Sequence, residues 1–311
     1  MKPCPQLSAF LALAALAWSP ASASAGTTSK GSSSKNPKPA KTCDSCSHTA
    51  SEKLGESAIS GDLGLNIVTS SYYRGVNRAG TDHAPSLQPN LNLYLKAYEG
   101  DGFLNKAVLS LGLWQSFINP AFYKAVPGAK APVSNSSWYE SNFTPSLALT
   151  FGKLTLTETY HFILYPNQFG KDAQGLSSRL AFDDSDLLGM FALNPAITHT
   201  FETSGKLAFA NPTQSNKGHS WEFSIAPSAS AGAFTLTLPV SLVFGSGGFY
   251  YSNGYAYLSA GLHLSYALPL PKNYGNWSVN TGATYYNSDS KATRNPTSND
   301  VVGSVGLGVA F

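Results

Sequence analysis

The last twelve residues, "DVVGSVGLGVAF", put Val301, Gly303, Val305, Leu307, Val309 and Phe311 on one side of an extended chain. Val302, Ser304, Gly306, Gly308 and Ala310 fall on the other. Alternation of period two marks a strand with two unlike faces. The same pattern runs through "SLQPNLNLYLKAYE", where Leu87, Leu91, Leu93, Leu95 and Ala97 alternate with Gln88, Asn90, Asn92, Tyr94 and Lys96. It returns in "GAFTLTLPVSLVFG", with Phe234, Leu236, Leu238, Val240, Leu242 and Phe244 on one face. Twelve such runs are predicted, at 61–74, 86–98, 106–117, 139–151, 154–165, 176–183, 190–202, 219–230, 233–244, 254–268, 276–287 and 300–311. Most are longer than the usual soluble strand of about 5 or 6 residues, and they suit the roughly 9 to 11 residues of a tilted membrane-spanning strand.

The connections add a second rhythm. Those after even-numbered runs are short, such as "GK" and "AG"; those after odd-numbered runs are longer, notably 118–138 and 203–218. Short turns on one side and long loops on the other belong to a transmembrane antiparallel up-and-down β-barrel. Lipid cannot satisfy an open sheet edge, so the last strand must close against the first. An all-β barrel over 59–311 is the expectation, with about 12 strands and 10 or 14 as neighbouring counts. Pro145, Pro195, Pro227 and Pro239 fall inside runs and predict bulges or shorter strands there. Glu158 shares the apolar face of Leu156, Tyr160 and Phe162. A bulge, a neighbouring barrel in a homo-oligomer or a different register would each account for it. Tyr72, Tyr73, Trp114, Phe117, Trp138, Tyr139, Tyr165, Tyr255, Tyr257, Trp277, Tyr285 and Tyr286 sit toward run ends, as an interfacial aromatic girdle would.

Composition agrees with this pattern. Charged residues are 12% of the 311, about half the usual share, and no long apolar run follows residue 25. "MKPCPQLSAFLALAALAWSPASASAG" carries Lys2, an apolar stretch from Phe10 to Trp18 and "ASA" before Gly26, so 1–25 reads as a secretory signal peptide. Residues 26–58 are rich in Ser, Thr, Lys and Pro, and read as a flexible periplasmic tether. The tether holds Cys43 and Cys46. Redox pair, metal half-site and haem attachment are all conceivable for C-x-x-C. However, His48 comes one residue late for haem, and no second C-x-x-C completes a zinc site. A local disulfide in an oxidising compartment is expected.

With the apolar face outward, the inward set includes Arg74, Asn90, Asn92, Lys96, His161, Arg179, Glu222 and His263 among many Ser, Thr and Asn. These are the candidate pore-lining residues. Residues 59–311 carry 14 basic and 14 acidic groups, so weak ion selectivity is expected. Catalytic signals are lacking: His219 and Ser220 are sequence neighbours and point to opposite faces, and neither G-x-S-x-G nor H-E-x-x-H occurs. Asp183, Asp184 and Asp186 read as a solvated turn cluster without calcium-loop spacing. No enzyme, cofactor, metal or nucleic-acid partner is expected. The expected function is a channel for small hydrophilic solutes. The competing class is a non-conducting barrel with a structural or adhesive role through 118–138 and 203–218.

A family resemblance adds to this. "IVTSSYYRGVNRAGTDHAPSLQPNLNLYL", with Tyr73, Arg74, Gly75, Gln88 and Pro89, looks like the opening of porin-like barrels of the TorF type. "FDDSDLLGMFALNPAITHTFE" looks like their middle hairpin. The resemblance covers 59–311 and implies an outer-membrane location. In outer-membrane barrels a terminal aromatic, here Phe311, resembles the signal read by the barrel-assembly machinery.

Overall fold

The computed structural model describes residues 58–78, 84–119, 137–166, 170–189, 192–209 and 217–311. The signal peptide, the tether with Cys43 and Cys46, and most of loop 118–138 lie outside the described residues, as does part of 203–218.

Among the described residues, twelve antiparallel strands form one closed barrel. They are β1 (Ile59–Val68), β2 (Ser86–Glu99), β3 (Lys106–Ile118), β4 (Trp138–Phe151), β5 (Leu154–Leu164) and β6 (Ala173–Phe182). Next come β7 (Ala196–Ser204), β8 (His219–Ile225, resuming as Ser228–Ala231) and β9 (Phe234–Thr237, resuming as Val240–Gly245). β10 (Gly254–Ala267), β11 (Asn276–Ser288) and β12 (Asn299–Ala310) complete the wall. Each strand pairs with its sequence neighbours, and β1 pairs with β12 through Leu63↔Val309, Leu65↔Leu307 and Ile67↔Val305. The terminal phenylalanine is part of this seam: backbone N–H groups of Gly61 and Phe311 donate to each other's carbonyls at 2.9 Å. The apolar side of the last strand therefore belongs to the barrel's outer surface.

Alternation sets the two faces as expected. Leu63, Leu65, Ile67, Leu93, Leu109, Leu180, Phe223, Leu242, Leu262 and Leu307 are exposed on the outside, although each is apolar. Prolines mark the irregularities. β8 breaks at Ala226–Pro227, β9 breaks at Leu238–Pro239, and pairing between β4 and β5 lapses beside Pro145. Pro195 lies just before β7, so the run drawn as 190–202 begins as a strand only at Ala196.

Two expectations are corrected. The first strand ends at Val68, not near residue 74. Beyond it, Tyr72–Tyr73 and Val76–Asn77 form a small hairpin. Its turn residues, Arg74 and Gly75, have φ of 50° and 73°, the left-handed pair that a tight two-residue hairpin turn requires. Glycine is needed twice over here, because a Cβ on Gly75 would lie 2.1 Å from the Tyr257 ring. The aromatic girdle is also smaller than expected. Tyr73, Tyr139, Tyr165, Tyr257 and Tyr286 instead pack in or against an internal cluster with Ile118, Ile163, Leu207, Phe249 and Tyr250. Tyr72 stacks on Tyr286 at 4.5 Å, and Trp114 meets Tyr73 at 6.5 Å. A lumen wide enough to admit loops lets these rings find apolar partners inside, so position near a strand end does not alone put a ring at the interface.

Candidate functional site

The barrel interior has two levels, separated by how much water reaches the inner wall. Toward the long-loop end, the inward residues Ser86, Gln88, Ser116, Glu140, Asn142, Thr200, Glu202, Thr284 and Ser288 are buried. Toward the short-turn end, Asn90, Asn92, Ser110, Ser146, Thr157, Arg179, Glu222, Ser241, His263 and Asn280 remain partly accessible. The hairpin beyond β1 and the segments 205–209, 246–253 and 289–298 fill the first level as a roof. Below it the inner wall is polar and partly accessible, and this lower part of the lumen is the chamber.

Buried charges pin the roof. Arg78 donates to the carbonyls of Ala208 at 2.9 Å and Leu207 at 3.0 Å, and its Nε lies 3.4 Å from Oε2 of Glu140 on β4. Burial alone would favour loss of the Arg78 proton; the Glu140 carboxylate outweighs it and keeps the guanidinium charged. Lys206 donates to Oε2 of Glu202 at 2.9 Å, while the backbone amides of Leu207 and Gly218 donate to the same carboxylate at 2.8 and 3.0 Å. Asn295 accepts from Asn77 N and donates to Gly75 O, both at 2.8 Å, tying the hairpin to the last loop. Arg78, Glu140, Glu202 and Lys206 were not singled out from sequence. For the two glutamates the signal was there: Glu140 has the parity of Asn142 and Thr144, and Glu202 that of Thr198 and Thr200.

The candidate pore residues divide between the two levels. Arg74 belongs to the roof, not to a strand. Its guanidinium donates to Thr200 Oγ1 at 3.2 Å, meets His161 Nε2 at 3.4 Å, and lies over the rings of Tyr73 and Phe249. A guanidinium can only donate, so His161 Nε2 is the acceptor there. Asn90, Asn92, Lys96, Arg179, Glu222 and His263 face the chamber. Asn92 and Tyr94 donate to Asp62 at 2.8 and 2.9 Å, and Ser241 donates to Glu222 at 2.8 Å. His263 lies against Gly261 and Gly282, where a Cβ would come within 2.5 and 2.4 Å of its ring nitrogens. Those two glycines seat the imidazole along the wall. Lys96 is paired with Glu99 at 2.5 Å near the rim.

Register puts Thr157, Arg179, Thr198 and Glu222 in one inner row across β5 to β8. Two strand spacings, about 10 Å, separate Arg179 from Glu222. Among the described residues neither Arg179 nor Arg74 has a carboxylate within ion-pair distance. One side of the chamber thus carries two guanidinium groups, one on the wall and one in the roof.

The turn 183–195 differs from the solvated cluster expected there. Asp184 is buried, and its carboxylate accepts the backbone N–H groups of Leu193 at 3.0 Å and Asn194 at 2.9 Å. Among the described residues no cluster of three or more His, Cys, Asp or Glu is placed to hold a metal ion.

No family model matches the chain, and no curated protein matches it. Among solved structures it is similar to the NanC porin, at 12% identity over 81% of this chain and 98% of that one, with a TM-score of 0.44. It is also similar to outer membrane phospholipase A from Escherichia coli, at 14% identity over 80% and 92%, with a TM-score of 0.40. The translocator domain of the autotransporter NalP from Neisseria meningitidis is similar at 12% identity over 83% and 90%, with a TM-score of 0.38. Each is a likeness of fold alone.

Proposed function

We propose that this chain is an outer-membrane channel for small hydrophilic solutes, held closed at its long-loop end by the folded-in roof. The observation that carries the proposal is the inner wall beneath the roof. It is accessible, it is lined by Asn, Ser, Thr and Gly, and it has few charges. Such a wall exchanges hydrogen bonds with passing water and solutes without holding them tightly. The outer surface offers the complementary argument, since an exposed apolar belt on a closed barrel suits lipid. In this reading the short turns and the tether are periplasmic, Phe311 serves the barrel-assembly machinery, and no chemical step is assigned. The resemblance to TorF-type porins points the same way.

One observation favours a second reading. Among the described residues, the roof packs into the long-loop end with buried ion pairs, as a non-conducting structural barrel would. Planar-bilayer recording separates the two. The channel reading expects wild-type protein to open rarely, in discrete steps, and a chain lacking 70–83 to conduct persistently. If both are silent and liposomes carrying either stay sealed to small sugars, the structural reading replaces it.

A further inference from the structure

The outer face of β5, β6 and β7 interrupts the apolar belt. Register aligns Glu158, Ser178 and His199 in one row across these strands. Their parity is that of Leu156, Leu180 and Phe201, so all three point outward. No bulge resets the phase between β5 and β6, where pairing is continuous from Leu154↔Phe182 to Ile163↔Ala173. Ser178 donates to Oε2 of Glu158 at 2.8 Å, and no second partner for that carboxylate occurs among the described residues. His199 lies 4.3 Å from Trp221 and 5.8 Å from His219, ring centre to ring centre. Above the row, Tyr160 bonds Gln174 at 3.0 Å and Thr203 at 3.1 Å. Among the described residues of the strands, the outward carboxylate and imidazole groups fall on neighbouring strands: Glu158 on β5, His199 on β7 and His219 at the start of β8.

A carboxylate halfway along a spanning strand is costly against lipid. We infer that this sector is the interface with a second copy of the same chain, packed side by side in the membrane. The inference rests on the proposed membrane location of the barrel. Two copies inserted the same way close as a dimer only about a two-fold axis along the membrane normal. That axis makes the interface isologous. It also reverses left and right, so the Glu158 side of one copy meets the His199 side of the other. With Ser178 near the axis, each carboxylate falls on the same side as a partner imidazole, twice over; strand tilt offsets the two by about 6 Å in height, a gap the two side chains must span. The sector is therefore self-complementary in hydrogen bonding: each copy brings an imidazole N–H donor for the other's carboxylate. The alternating outward residues Leu156, Leu176, Leu180 and Phe201 supply apolar packing around the polar row.

The test uses the full chain with Cys4→Ser, Cys43→Ser and Cys46→Ser, refolded and reconstituted in phosphatidylcholine vesicles. Leu180→Cys, beside Ser178 on β6, should cross-link to its own copy on oxidation. Leu307→Cys, six strands away on β12, should not. Photobleaching of labelled barrels at increasing dilution should give a dimer whose dissociation constant rises about thirtyfold or more in Glu158→Leu, and similarly in His199→Phe. That is the low end expected for removing one partner of a buried charged hydrogen-bonded pair. Wild-type barrels that remain monomeric overturn the inference. So do cross-links at Leu307→Cys equal to those at Leu180→Cys, or a Glu158→Leu dimer as tight as wild type. If Glu158→Leu loses the folded band that shifts on boiling, the two cysteine variants still decide, because both keep the polar row intact. A chain that is soluble without detergent overturns the membrane reading itself, a different outcome from a monomeric membrane barrel.

Discussion

Arg78 Nε lies 3.4 Å from Oε2 of Glu140, with both side chains essentially without solvent contact. One residue belongs to the hairpin segment of the roof and the other to the wall. It joins roof to wall alongside the Lys206–Glu202 pair and the Arg74–Thr200 bond. Removing one partner of a buried pair strands the other charge, which costs about 3–5 kcal/mol. Glu140→Ala is therefore expected to loosen the roof and increase open time in bilayer recordings. Arg78→Met with Glu140→Leu should largely restore closure, since a well-packed apolar pair is often as stable as the ions it replaces. Equal open times in wild type and Glu140→Ala would show that this contact does not hold the roof.

Ion selectivity should respond to Arg179 more than to Lys96. Arg179 stands on the chamber wall without an ion-paired carboxylate, whereas Lys96 is paired at the exposed rim, where solvent screens it. Arg179→Gln is expected to shift the reversal potential in a salt gradient toward cation preference, because it removes a fixed positive charge from the wall. Lys96→Gln should shift it less. A larger shift from Lys96→Gln would place the selectivity-determining level at the rim.

The strands were legible in the sequence and the roof was not, for a physical reason. Period-two alternation is forced wherever one face meets an apolar surrounding and the other a polar one, so Leu63, Leu65 and Ile67 announce β1 directly. Roof and girdle both concentrate rings near strand ends and differ only in parity. Tyr257 shares the parity of Ser259 and His263, Tyr286 that of Asn280 and Thr284, and Tyr165 that of His161. Those parities point inward. The hairpin is harder to foresee, because "SSYYRGVN" continues the composition of the preceding strand. Only the positive φ at Arg74 and Gly75 turns it into the lumen. Of the chamber residues, Asn90, Asn92, Arg179, Glu222 and His263 follow from alternation. Arg74 does not, since it lies past the strand whose parity was used to place it.

The turn 183–195 should be acid-sensitive. Burial would raise the Asp184 carboxyl, but the amides of Asn194 and Leu193 outweigh burial and hold its pKa below the usual carboxylate value. A depressed folded-state pKa means that the stabilisation is fully present above the unfolded value of about 3.9 and is lost as pH falls through the lower folded value. Protection of the Leu193 and Asn194 amides against hydrogen exchange, corrected for intrinsic rates, should therefore fall below about pH 4. In Asp184→Asn it should be lower at neutral pH and nearly flat with acidification. Wild-type protection that is unchanged from pH 7 to pH 3 would remove the carboxylate from the turn's support.

Gly75 offers a test of the roof that leaves the wall untouched. Two constraints meet there. Its φ of 73° is one that a residue with a Cβ adopts at a cost of about 1 kcal/mol, and that Cβ would press into the Tyr257 ring. Gly152, in the β4–β5 turn, has φ of 58° with nothing within 4 Å of a Cβ, so Gly152→Ala measures the backbone effect by itself. Gly75→Ala should be distinctly worse than Gly152→Ala and should act on open time, leaving in place the folded band that shifts on boiling, because the twelve-strand wall does not include residue 75. Adding Tyr257→Ala to Gly75→Ala removes the collision and leaves the backbone strain and a cavity in the roof. The double variant should then close better than Gly75→Ala but worse than wild type. If Gly75→Ala and Gly152→Ala behave alike in single-channel recordings, the Tyr257 contact is not what fixes the hairpin, and the roof must be held from the Arg78 side instead.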